Sequence, residues 1–208
     1  MTDELMTKRK NDQLRSADSI SIGQHPEECP RLLVSVRSLT EAECAISAGV
    51  DILDVKEPSL GSLGMANIDD IKAITSAAQY VSRKIPLSVA LGEISDWSES
   101  SRFLELPHGI TYAKIGLSGC AADPHWRSEW MRVRVGFQHR SLSRLRWVAV
   151  AYADANGAKS PSIRDVLAAA IEADCAGLLV DTFTKNGRRL NDEIDQHSLI
   201  ELADTCHK

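Results

Sequence analysis

From Arg31 onward the chain alternates short apolar runs with stretches in which apolar residues return every three or four positions. The runs are RLLVSV (31–36), VDILDVKEP (50–58), IPLSVALGE (85–93), ITYAKIGLSG (110–119), RWVAVAYAD (146–154) and AGLLVDT (176–182). Each is too short for a helix and nearly continuous in its apolar residues, the pattern of a strand buried on both faces. Helical stretches separate them. SLTEAECAISAG carries Ser38 and Glu41 at capping-box spacing with Gly49 as the stop, and NIDDIKAITSAAQYVS opens on Asn67, a good cap. Further helices are expected around DWSESSRFLEL, after Asp123 and Pro124, around SIRDVLAAAIEA and around LIELADT. Strands alternating with amphipathic helices predict an α/β protein with a parallel sheet. Residues 1–30 show no period and read as a disordered N-terminal extension, leaving 31–208 as one domain.

Two architectures suit six strand–helix units: an open doubly wound sheet and a TIM-type (β/α)8 barrel. No G-x-G-x-x-G follows the first strand and no Walker A loop occurs, so the nucleotide-binding open sheets lose their best signal. Polar residues collect at the carboxyl ends of several strands, where barrels place their chemistry. The barrel is therefore the expected fold, and it looks truncated. A closed eight-stranded barrel typically takes about 200–250 residues, and only six units precede Lys208. A homo-oligomer or a partner chain could complete such a barrel and cover its open edges.

Composition narrows the partners. The chain is 43% hydrophobic and 25% charged with a net charge of −5, so no global basic field invites nucleic acid. The arginine-rich run from Arg127 to Arg146 reads as a solvated helix face and its following loop. No apolar run reaches the roughly 18–20 residues that span a bilayer, and the first 30 residues lack the apolar core of a secretory signal. Cys29, Cys44, Cys120, Cys175 and Cys206 are odd in number and never paired as C-x-x-C, which argues against a disulfide framework and a structural zinc site. Cys120 and His125 have no second ligand pair, so no metal is expected; a reducing cytoplasm is the expected address.

The candidate chemistry lies at the strand ends. Residues two apart share a strand face, so Asp54 and Lys56 point the same way, roughly 7 Å apart along the strand. Lys114 shares a face with Tyr112 and Gly116 inside an apolar strand, where an unpaired lysine is costly. Asp181 closes the sixth strand and Lys185 follows it, while Tyr152 and Asp154 end the fifth. Any one of these could be an ordinary solvated or ion-paired residue. As a group they suit an imine: burial and clustered ammonium groups favour the neutral amine that attacks a carbonyl, and carboxylates can shuttle protons. A Schiff-base lyase or aldolase on a small carbonyl phosphate is the resulting expectation. Gly61, Ser62 and Gly64 of GSLG either bring backbone amides to a substrate phosphate or simply turn the chain.

LLVSVRS, DILDVKEPSLGSLG, AKIGL, VAVAYAD and LLVDTFTKNGRRL, in that order from about Leu32 to the end, resemble the (5-formylfuran-3-yl)methyl phosphate synthase family. The resemblance implies a TIM-barrel lyase that condenses two molecules of glyceraldehyde 3-phosphate into a phosphorylated furan aldehyde, releasing phosphate, for methanofuran-type one-carbon carriers. It places the Schiff-base lysine on Lys56, the proton-accepting lysine on Lys114, supporting acids on Asp54 and Asp181, and a further active-site lysine on Lys185. It implies no metal and no organic cofactor. The alternatives are a truncated non-catalytic remnant or interaction subunit of the same family, and a class I aldolase on a related sugar phosphate.

Overall fold

The computed structural model describes residues 30–97 and 102–207; the expected N-terminal extension lies, but for Pro30, outside the described residues. Each apolar run forms a strand: β1 (Leu33–Val36), β2 (Ile52–Val55), β3 (Leu87–Glu93), β4 (Ile110–Gly116), β5 (Arg146–Tyr152) and β6 (Gly177–Asp181). Neighbouring strands pair in parallel, in the order β1-β2-β3-β4-β5-β6. A doubly wound sheet reverses its strand order part-way. The consecutive order found here is that of a barrel wall, and the described residues build six strands of one.

The helices begin where the sequence supplies caps. Ser38 Oγ accepts the Glu41 amide at 3.3 Å to open α1 (Leu39–Ser47). The Glu41 carboxylate reaches back to the Arg37 amide at 2.9 Å, one residue earlier than a capping box would place it. Asn67 Oδ1 accepts the Asp69 amide at 3.0 Å ahead of α2 (Ile68–Gln79). Asp123 Oδ1 holds the His125 amide just before α3 (Trp126–Arg140). After β5 come a single turn, α4 (Ala155–Ala158), and then α5 (Ile163–Glu172) behind its cap Ser162. Beyond β6 lie another single turn, α6 (Leu190–Glu193), and α7 (Gln196–Cys206). Among the described residues no helix is long and apolar enough to cross a membrane.

One expected helix is absent from the described part of its stretch. A 3-10 turn at Ile94–Asp96 ends on the first residue of DWSESSRFLEL, 102–105 have no regular structure, and Leu106 makes a single parallel bridge to Ser141. Leu106 precedes Pro107, which pushes it toward extended backbone. The apolar residues of the stretch also have a different use: the rings of Trp97, Phe103 and Phe137 pack with centroids 4.6–5.5 Å apart against α3.

The sheet separates two apolar regions of unequal size. On the helix side, Leu53, Val55, Val89, Leu91, Ala113, Ile115 and Ala149 pack against Ile71, Ile74, Val133 and Phe137 in the main core. Burial of each large side chain there stabilises the fold by about 1.5–3 kcal/mol. On the other face a small cluster joins Leu63, Ala90, Val150, Tyr152 and Ala158, with Leu179 and Phe183 packed against it.

The sheet also curls. In a flat sheet β2 and β6 would stand roughly 19 Å apart, at about 4.8 Å per strand. Here Ser62 Oγ, in the loop after β2, lies 3.0 Å from the Thr182 carbonyl and 3.1 Å from that of Phe183, in the loop after β6. The small cluster is therefore on the concave, interior face.

Candidate active site on the interior face

Register decides which side chains share the interior. Ser35 pairs with Asp54, Asp54 with Ser88, and Ala90 with Lys114 in adjacent strands, so these residues stand on one face. Asp54 is 1% exposed and Lys114 5%. Lys114 Nζ donates to Asp54 Oδ1 at 2.6 Å, and Ser35 Oγ donates to Asp54 Oδ2 at 3.0 Å. The sequence set Lys56 beside Asp54; the structure gives Asp54 to Lys114, two strands away.

Lys56 follows β2 directly, and its Nζ lies 3.4 Å from the Ser62 carbonyl. It lines a cavity of about 190 Å³ with Ser35, Val36, Arg37, Glu41 and Pro58. Among the described residues Lys56 forms no ion pair. The third lysine is placed differently. Lys185 Nζ contacts Asp181 Oδ1 at 3.2 Å and also donates to the Thr182 carbonyl, at the more exposed rim after β6. The structure thus forms two pairs, Asp54 with Lys114 and Asp181 with Lys185, and places Lys56, which has no ion pair among the described residues, on the loop after β2.

That loop is held tightly. The Gly61 amide donates to the Pro58 carbonyl and the Gly64 amide to the Gly61 carbonyl. A Cβ on Gly64 would collide with the Glu57 carbonyl, so glycine is required there by close packing. The Leu63 carbonyl accepts the Gly92 amide of β3 at 2.8 Å. The Gly61 and Gly64 amides and the Ser62 hydroxyl are thus engaged in fixing the loop across the mouth of the curled sheet. Asp154 has a similar structural use: its carboxylate accepts the Phe183 amide at 2.7 Å and the Thr184 amide at 2.8 Å. Burial pushes its carboxyl up, but these donors outweigh burial and hold it below its ordinary value.

One interior group escaped the sequence reading. Strict alternation from Ser88 and Ala90 would turn Glu93 toward the helices, beside Val89 and Leu91. The register instead shifts between Ala90 and Glu93, with Gly92 at φ +82°, and Glu93 pairs with Gly116, which shares the face of Lys114. The Glu93 carboxylate lies where a Cβ of Gly116 would be. Tyr152 Oη donates to Glu93 Oε1 at 2.5 Å, and the Ser118 amide donates to Oε2 at 2.8 Å. Tyr152 is fully buried; burial first, and then the Glu93 carboxylate, push its phenol far above the ordinary value, so it remains the donor. The glycine immediately before Glu93 was the available sign of a bulge.

Cys120 is buried, and desolvation, followed by Asp123 and Glu93, pushes its thiol up to about 11. Among the described residues no group of three or more His, Cys, Asp or Glu is placed to hold a metal ion.

Residues 32–208 match the family model for 4-HFC-P synthase. A (5-formylfuran-3-yl)methyl phosphate synthase of Methanopyrus kandleri is 33% identical over 182 residues, covering 86% of this chain and 75% of its own. Proteins of the same name from Methanococcus maripaludis and Methanosarcina acetivorans are 31% and 29% identical, over 85% and 86% of this chain and 75% and 76% of theirs.

Proposed function

The chain belongs to the 4-HFC-P synthase family, and from that premise we propose that it joins two molecules of glyceraldehyde 3-phosphate into (5-formylfuran-3-yl)methyl phosphate through a Schiff base on Lys56. The product would serve methanofuran-type one-carbon cofactor synthesis. The observation that carries this reading is the buried Lys114–Asp54 pair at 2.6 Å, on the strand face from which Lys56 emerges. A buried ion pair gives less stability than well-packed apolar residues of the same volume, so its presence favours a chemical use.

In this reading the Lys56 amine attacks the aldehyde carbon and water leaves, giving an imine. The imine makes the neighbouring C–H acidic, and Lys114, once it has passed its own proton to Asp54, takes that proton as a neutral amine. Loss of phosphate, carbon–carbon joining and dehydration follow, and the aromatic furan makes the sequence irreversible. Lys185 and Asp181 stand at the rim, where Lys185 can hold a substrate phosphate as a point charge.

Borohydride added to the 208-residue chain with glyceraldehyde 3-phosphate should fix a stable mass on Lys56, and Lys56→Ala should lose both adduct and furan absorbance. Turnover by wild-type chain without any adduct would sink the covalent mechanism. A different sugar phosphate product would move the chain to aldolase chemistry.

A further inference from the structure

We propose that Glu93 is a catalytic carboxylate of this site and that Tyr152 and Gly116 position it; the inference rests on the imine reading above. The fold departs from regular geometry to place Glu93. The bulge at Gly92 turns it from the helix side to the interior, and Gly116 leaves empty the volume that its carboxylate fills. Bulges that re-aim one side chain recur beside active sites. Gly116 is two residues beyond Lys114 on the same face of β4, so the carboxylate sits roughly 7 Å toward the mouth from the lysine's position. That spacing leaves room for a small substrate between them.

The three interior acids differ in what they can do. Asp54 is closed off, with one oxygen on Lys114 and the other on Ser35. Asp181 carries the Lys185 cation. Glu93 is half-buried, and among the described residues only neutral donors, the Tyr152 phenol and the Ser118 amide, contact it. Asp54 and Asp181 each have an oxygen committed to a lysine ammonium, whereas Glu93 is oriented by neutral donors alone, with no cation among the described residues standing between it and a substrate, which is the placement of a proton shuttle. Formation of the furan requires such a shuttle. Glu93 removes a proton from ring carbon, and the C–H electron pair becomes the ring double bond. The adjacent C–O bond breaks with its electrons on oxygen, which receives the same proton from Glu93 and leaves as water. The carboxylate is regenerated and no other reactant is needed.

The test uses the full chain with glyceraldehyde 3-phosphate. Glu93→Gln should lower kcat about 100-fold or more with KM within about threefold, while borohydride still fixes substrate on Lys56. Glu93→Ala should behave alike and regain furan formation on addition of formate, which a purely structural role would not produce. Gly116→Ala keeps every ionisable group and displaces only the carboxylate, so it should also lower kcat with KM little changed. A Glu93→Gln chain that turns over like wild type overturns the proposal. So does a slow Glu93→Ala chain that formate leaves unchanged, or, if the Glu93 variants do not fold, an unimpaired Gly116→Ala. Failure of the imine reading is recognised separately: wild type would make furan without a Lys56 adduct. A wild-type chain that makes no furan overturns both.

Discussion

The two faces of one sheet obey different rules. Toward the helices, alternate residues of β2–β5 are almost uniformly apolar and fully buried, and they meet the apolar stripes of α2, α3 and α5. Toward the interior, the same strands bring Asp54, Ser88, Lys114 and Tyr152 out of water around a cluster of only a few apolar side chains. Burial on the first face stabilises in proportion to area. On the second, buried ionic groups must be paired merely to be tolerated. The contrast locates stability on one side of the backbone and reactivity on the other, within strands only seven residues long or shorter.

Substitutions can test that division. The largest effect should come from Lys114→Met, which strands the Asp54 carboxylate: about 3–5 kcal/mol less stability by chemical denaturation, together with loss of furan formation. Adding Asp54→Leu should restore much of the stability and none of the activity; a double variant as unstable as the single would mean that the interior pair holds the fold. Phe137→Ala, on the helix face, should cost a similar 3–5 kcal/mol from the cavity it leaves, but with kcat unchanged where the chain remains folded. Ile74→Val on the same face should cost only about 0.5–1.5 kcal/mol, again without kinetic effect.

Asp154 should give the smallest signal. Its folded carboxyl lies below the ordinary value because the Phe183 and Thr184 donors outweigh burial. A depressed value means that its contribution is complete above the unfolded carboxylate range and is lost as pH falls through the folded value. The stability difference between wild type and Asp154→Asn should therefore be flat near neutrality and shrink below about pH 4. A difference that grew on acidification would contradict the assigned hydrogen bonds.

The division between faces was partly legible in the sequence. Six apolar runs gave six strands, and Ser38 and Asn67 opened helices as their side chains predict. The crowding of polar residues at strand ends pointed to barrel order, which the pairing has. Lys114 stood out because an apolar strand surrounds it. What period and spacing could not supply was partnership across strands. Asp54 and Lys114 are 60 residues apart and meet because the curled sheet turns their side chains inward. Glu93 was hidden for a different reason: a one-residue register shift reverses the face on which alternation places it. The described residues of DWSESSRFLEL depart from the expected helix because Trp97 and Phe103 pack as rings against Phe137 of α3 and Leu106 is held extended by Pro107.

The Ser62 hydroxyl has a bearing on how this molecule acquires its shape. Its acceptors lie 120 and 121 residues further along the chain. Contacts of such separation close late, because the intervening chain must first be ordered. Strand β2 can pair with its neighbours early, yet the loop that holds Lys56 has no anchor at β6 until that strand has docked. The surroundings of the lysine are thus assembled near the end of folding, and refolding followed by furan formation should lag behind refolding followed by helix content.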